Sequence, residues 1–88
     1  MPKALWDWNR VYPTDGIRRL NAFPEDELVT EFMRLCADRR WARGMASVRP
    51  FRDAAELLEA SDRLVDRLGD VGRTKQQLRQ DLGRLLEL

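Results

Sequence analysis

Histidine is absent from this 88-residue chain and cysteine occurs once, so its candidate acid and base groups are carboxylates. That absence excludes Ser-His-Asp and Cys-His arrangements built from these residues. One cysteine, Cys36, without histidine leaves no soft-metal site within the chain. Cys36 falls on the apolar stripe of a helical segment, where it reads as a small core residue rather than a nucleophile. The carboxylate pairs Glu56 with Glu59 and Asp62 with Asp66 lie at helical spacing. Paired carboxylates can share acid and base roles. Here arginines stand three and four residues away, as in Glu59 with Arg63, which describes a solvated, ion-paired helix face. Arg39, Arg40 and Arg43 cluster on one short segment and could grip phosphate if no acid neutralises them. The whole chain carries a net charge of only +1, which gives little long-range pull on nucleic acid or anionic lipid.

The elements that must carry these groups are helical. Asp15 can cap a short turn through Gly16–Leu20. Pro24 suits a first helical position, and Glu25, Asp26 and Glu27 favour a helix N-terminus. Leu28, Phe32, Leu35 and Cys36, flanked by Val29 and Met33, predict a helix from Pro24 to Ala37. Asp38 caps a second, Arg39 to Val48, with Trp41, Met45 and Val48 on one face. Gly44 in that helix costs about 1 kcal/mol against alanine and points to close helix packing. Pro50 ends the helix and pushes Arg49 toward an extended conformation. Asp53 and Glu56 form a capping-box pattern opening a helix from Ala54 to Leu68. Its stripe is Leu57, Leu64, Val65 and Leu68, with Leu58 on the flank. Gly69-Asp70-Val71-Gly72 reads as a stop, and Thr74 as the cap of a last helix reaching Leu88. A competing pattern runs through Leu57, Ser61, Leu64, Leu68, Val71, Lys75, Leu78, Leu82 and Leu85 at alternating spacings of four and three. It would make one coiled-coil-like rod. Two interior glycines would cost such a rod about 2 kcal/mol, which favours the break.

The expected fold is therefore all-α: a small bundle of four to five helices, residues 16–88, behind an aromatic arm, residues 1–15. The arm holds Leu5, Trp6, Trp8, Val11 and Tyr12, too much apolar surface to leave in water. It is expected either to close the core or to pack on a partner. A chain of this size builds one modest core and commonly gains stability from a partner. Trp6, Trp8, Tyr12, Leu78, Leu82 and Leu85 are the partner-interface candidates, and a homodimer or a larger helical partner is expected. No run of apolar residues is long enough to span a membrane, and no signal-peptide pattern is visible. With a single cysteine, a cytoplasmic protein is expected.

One segment is more specific. Arg40-Trp-Ala-Arg-Gly-Met-Ala-Ser-Val-Arg-Pro-Phe51 follows a Leu20-Asn-Ala-Phe-Pro24 opening. Over about residues 20–68 this resembles the N-terminal part of the ureidoimidazoline (OHCU) decarboxylases of urate breakdown. Trp41, Ala42, Met45, Ala46, Arg49, Pro50 and Phe51 carry the resemblance in register. Leu57, Leu58 and Ser61 resemble the family's Leu-Leu-x-x-Ala helix. The resemblance implies an all-helical, often homodimeric, cofactor-free fold. It also implies a catalytic histidine in a His-Pro segment, with a glutamate and an arginine further on. The stretch corresponding to His-Pro, Asp70 to Gln77, has no such pair. No catalytic residue carries over, and Trp41, Met45, Arg49, Pro50 and Phe51 are expected to be scaffold. The reading this favours is a noncatalytic helical interaction module. A piece or subunit of a decarboxylase is the alternative, and a nucleic-acid-associated regulator a further one.

Overall fold

The computed structural model describes residues 15–87. Five helices follow one another among the described residues: α1 Asp15–Ala22, α2 Glu25–Leu35, α3 Arg39–Ser47, α4 Ala54–Leu68 and α5 Lys75–Glu87. There is no strand among the described residues, so the architecture is a small all-α bundle. Consecutive helices α2 to α5 pack pairwise, and α5 returns to α1 and α2.

Local chemistry accounts for most of the helix ends. Asp38 is extended, and its carboxylate accepts the Arg40 amide at 2.9 Å, opening α3. Asp53 does the same for α4, accepting the Glu56 amide at 2.8 Å. Glu56 reaches back one residue beyond the cap, to the Arg52 amide at 3.3 Å. Thr74 and Gln77 form a complete capping box for α5: each side-chain oxygen accepts the other's amide, at 3.1 and 3.0 Å. Pro24 stands outside α2 as its cap residue, with ψ 143°, rather than as its first helical residue. α2 stops at Leu35, because Cys36 turns extended while its amide still closes on the Phe32 carbonyl. That turn aims the Cys36 thiol at the Val71 carbonyl, which accepts from Sγ at 3.2 Å.

The continuous rod does not form. Gly69 and Gly72 both have positive φ, 82° and 84°, a region that favours glycine. α4 and α5 consequently fold back antiparallel. Asp62 pairs with Arg79, and Asp66 with Lys75, along the seam between them. The core comprises Ile17, Leu20, Leu28, Phe32, Cys36, Trp41, Ala42, Met45, Ala46, Phe51, Leu57, Ala60, Val71, Leu78 and Leu82, all buried. Leu78 and Leu82 are fully enclosed by their own chain. This corrects the expectation that they face a partner: the heptad spacing marks the side of α5 that lies on the core. Leu85 is only half-buried, and its carbonyl accepts from the Arg19 guanidinium at 2.8 Å. Trp6, Trp8 and Tyr12 lie outside the described residues. No helix among the described residues is long and apolar enough to cross a membrane.

Candidate functional site

The segment with the most specific sequence, residues 40–51, forms a corner wedged into the bundle. Trp41 is fully buried, edge-on to Phe32 with ring centroids 5.6 Å apart. Its indole N–H donates to the Ser61 hydroxyl at 3.2 Å, also buried. Met45 and Phe51 are core residues as well. Arg49 closes the corner by donating to carbonyls. Its Nη1 reaches Phe23 at 2.6 Å, Leu20 at 3.1 Å and Asn21 at 3.4 Å, and its Nε reaches Ala46 at 3.2 Å. Those carbonyls belong to or follow the last turns of α1 and α3, where the helix dipoles favour a cation. Pro50 is exposed, and the peptide bond preceding it is cis. Asn21 completes the arrangement. Its Nδ2 donates to the Phe51 carbonyl at 2.9 Å, and its Oδ1 accepts the Phe51 amide at 2.8 Å. Trp41, Met45, Arg49 and Phe51 thus meet in one unit of the scaffold.

Sequence reasoning did not single out Asn21 or pair Ser61 with Trp41. The Asn21 side of the motif was visible only as part of an opening string. Ser61, a polar residue amid an apolar seam, was the available signal.

Outside this corner, an open groove of about 500 Å³ runs along α4. Val48, Phe51, Ala60 and Leu64 contribute its apolar part, and Arg52, Glu56, Glu59, Arg63 and Arg67 its charged part. Leu64 owes its place to Gly44: a Cβ there would stand 2.7 Å from a Leu64 δ-carbon. Val48, 47% exposed, is the one large apolar residue that is exposed among the described residues. Glu56 and Glu59 are engaged by Arg52 at 3.7 Å and Arg63 at 3.9 Å. The two carboxylates therefore sit on a solvated, paired face rather than facing each other across a cleft. Of the α3 arginines, Arg40 is held by Asp38 at 2.6 Å. The hydrogen bond from Arg40 is the main reason the Asp38 carboxyl titrates below its ordinary range. Arg39 and Arg43 remain exposed. Among the described residues, no group of His, Cys, Asp and Glu could hold a metal ion.

An all-helical scaffold locked by a Trp41–Ser61 pair and an arginine-closed Arg-Pro-Phe corner defines a structural class before any chemistry. A family model described as OHCU decarboxylase matches residues 21–84, well over half of the chain. The chain belongs to the OHCU decarboxylase family. The match runs past Leu68 into α5, so the likeness extends further than residues 20–68. No curated protein and no solved structure matches.

Proposed function

We propose that these 88 residues act as a noncatalytic helical interaction module built on the decarboxylase scaffold. One observation carries the reading: the scaffold corner is fully assembled, while the sequence holds no histidine. Decarboxylation leaves carbanion-like charge that must be stabilised and then protonated. Among the described residues, the groups near the groove are guanidiniums, permanently protonated, and two glutamates already engaged by arginines. A homodimer or a larger helical protein is the partner this reading proposes, in a cytoplasmic setting.

The test is turnover of the urate-derived ureidoimidazoline carboxylate by the isolated 88-residue polypeptide, followed as carbon dioxide release. No release above the spontaneous rate is expected. Release proportional to protein concentration would overturn the reading. The family match favours one second reading, in which the chain is a piece or subunit of a decarboxylase whose histidine comes from another polypeptide. In that case, adding a His-Pro-bearing helical partner restores carbon dioxide release, whereas the chain alone stays silent.

A further inference from the structure

The groove along α4 is an apolar floor with guanidiniums at its rim. Val48, Phe51, Ala60 and Leu64 make the floor, and the exposed Arg52, Arg63 and Arg67 stand around it. Arg52 and Arg63 meet Glu56 and Glu59 at 3.7 and 3.9 Å, with side chains 80% and 72% exposed. A carboxylate approaches a guanidinium through the N–H groups in its plane, so the flat faces of both arginines stay open. An apolar floor beneath open guanidinium faces suits aromatic rings, on which those faces stack, whatever the net charge of the rim.

The aromatic rings of the described residues are already placed: Phe32, Trp41 and Phe51 are buried, and Phe23 is half-buried. The others, Trp6, Trp8 and Tyr12, belong to residues 1–14. Alternate residues of an extended segment face one side, and these three share that parity. From Trp6 to Tyr12 such a segment spans about 20 Å. The groove wall from Glu56 to Arg67 runs about 17 Å along α4, and Arg52 lengthens it.

The attachment point suits the same path. α5 runs antiparallel to α4, as the Asp66–Lys75 and Asp62–Arg79 pairs show, so its last turn lies beside the start of α4. α1 begins on that turn, where a Cβ on Gly16 would stand 2.3 Å from the Leu86 carbonyl oxygen. It ends at the groove, where Asn21 is bonded to the Phe51 backbone. Asp15 is therefore little more than one α1 length, about 12 Å, from the Phe51 end. Tyr12 can reach about 10 Å from Asp15, and Trp6 about 30 Å, which takes in the length of the groove. The hollow beside Ala22–Pro24, about 230 Å³, offers one guanidinium, Arg19, which is committed to the Leu85 carbonyl.

We infer that residues 6–12 of the same chain lie along the groove, with Tyr12 at the Phe51–Arg52 end and Trp8 and Trp6 over Ala60 and Leu64, beneath Arg63 and Arg67. This goes beyond the interaction-module reading and does not depend on it. The groove is closed by its own chain, and a partner that uses it must first displace the arm.

Nuclear Overhauser contacts in the full 88-residue chain test it. The indole protons of Trp6 and Trp8 are expected to show contacts to the Val48 and Leu64 methyl groups, unchanged on dilution. Removing the rings in W6S/W8S is expected to move those methyl resonances downfield, because their ring-current shielding is lost. Val48→Asp, at an exposed site, is expected to abolish the contacts to Leu64. The Trp41 indole N–H resonance, held by Ser61, is expected to stay in place in both variants and so to report an intact core. In a mixture of isotope-labelled and unlabelled chains, contacts between labelled methyls and unlabelled indoles would put a second copy in the groove and overturn the inference. No contact from Trp6 or Trp8 to either side chain, contacts to the Ala22–Pro24 hollow in their place, or methyl resonances that ignore W6S/W8S would overturn it too. Carbon dioxide release, which decides the noncatalytic reading, has no bearing on these readouts.

Discussion

Ser61→Ala isolates the hydrogen bond at the centre of the bundle. Ser61 is fully buried, and its hydroxyl accepts the Trp41 indole N–H at 3.2 Å, with Trp41 also enclosed. Removing the hydroxyl leaves a buried N–H without a partner and without access to water. Such an orphan costs about 1–3 kcal/mol. Alanine returns a few tenths of a kcal/mol through its better helix propensity, since residue 61 lies within α4. A net loss of about 1–2 kcal/mol is expected, or about 4–15 °C in melting temperature for a domain of this size. Trp41→Phe removes the donor instead and adds a cavity beside Phe32, at a cost of roughly 2–4 kcal/mol. In the double variant neither orphan exists, so its loss should fall short of the sum by about 1 kcal/mol. Urea unfolding followed by circular dichroism at 222 nm measures all four proteins, with equal m-values as the control. Ser61→Ala as stable as the parent, or strictly additive losses, would refute the claim that this bond is formed and dry.

Further expectations rest on other contacts. Arg49→Met should destabilise by about 2–3 kcal/mol, because a charged donor to the Leu20, Asn21, Phe23 and Ala46 carbonyls is lost. Arg49→Lys should recover only part of this in urea unfolding, because a single ammonium cannot serve both Nε and Nη1 acceptors. Two of the helical glycines, Gly16 and Gly44, should respond differently to alanine. At Gly16 a Cβ would lie 2.3 Å from the Leu86 carbonyl oxygen, so helices must separate, at about 1–3 kcal/mol. At Gly44 the obstacle is the end of the Leu64 side chain, and the ~1 kcal/mol gain in helix propensity offsets its displacement. Thermal melts of the two variants should therefore diverge. Melting temperature should be flat between about pH 5 and pH 8, because no histidine is present to titrate there. Asp38, whose carboxyl is depressed mainly by the hydrogen bond from Arg40, should contribute its stability fully above its ordinary value of 3.8. That contribution fades as pH falls through the depressed folded value. An Asp38→Asn comparison in acid titration followed by circular dichroism checks both the sign and the window.

What was legible in the sequence was what neighbours in the chain decide. Asp38, Asp53 and Thr74 announce helix starts by chemistry acting over two or three residues. Gly69 and Gly72 likewise announce a reversal, where the heptad pattern alone argued for a rod. The pattern misled because a core-facing stripe and a coiled-coil seam have nearly the same spacing. Only the fold shows that Leu78 and Leu82 bury against their own chain. Arg49 was legible only as part of the scaffold, and the fold shows that it caps carbonyls. Asn21 was harder to read. Its role depends on Phe51, thirty residues away, and an amide gives no local sign of which backbone it will mimic. The groove was illegible for a similar reason, since it exists only where the residue 48–52 corner stands beside α4.

The contact between Gly16 and Leu86 has a practical corollary. With these backbones touching, the polypeptide enters and leaves the described bundle at almost the same point. Asp15 and Glu87, each one residue outward from that contact, are neighbours. A pair of probes placed at those two positions would sit within a few residues' width while the fold is intact, and separate as soon as α1 or α5 peels away.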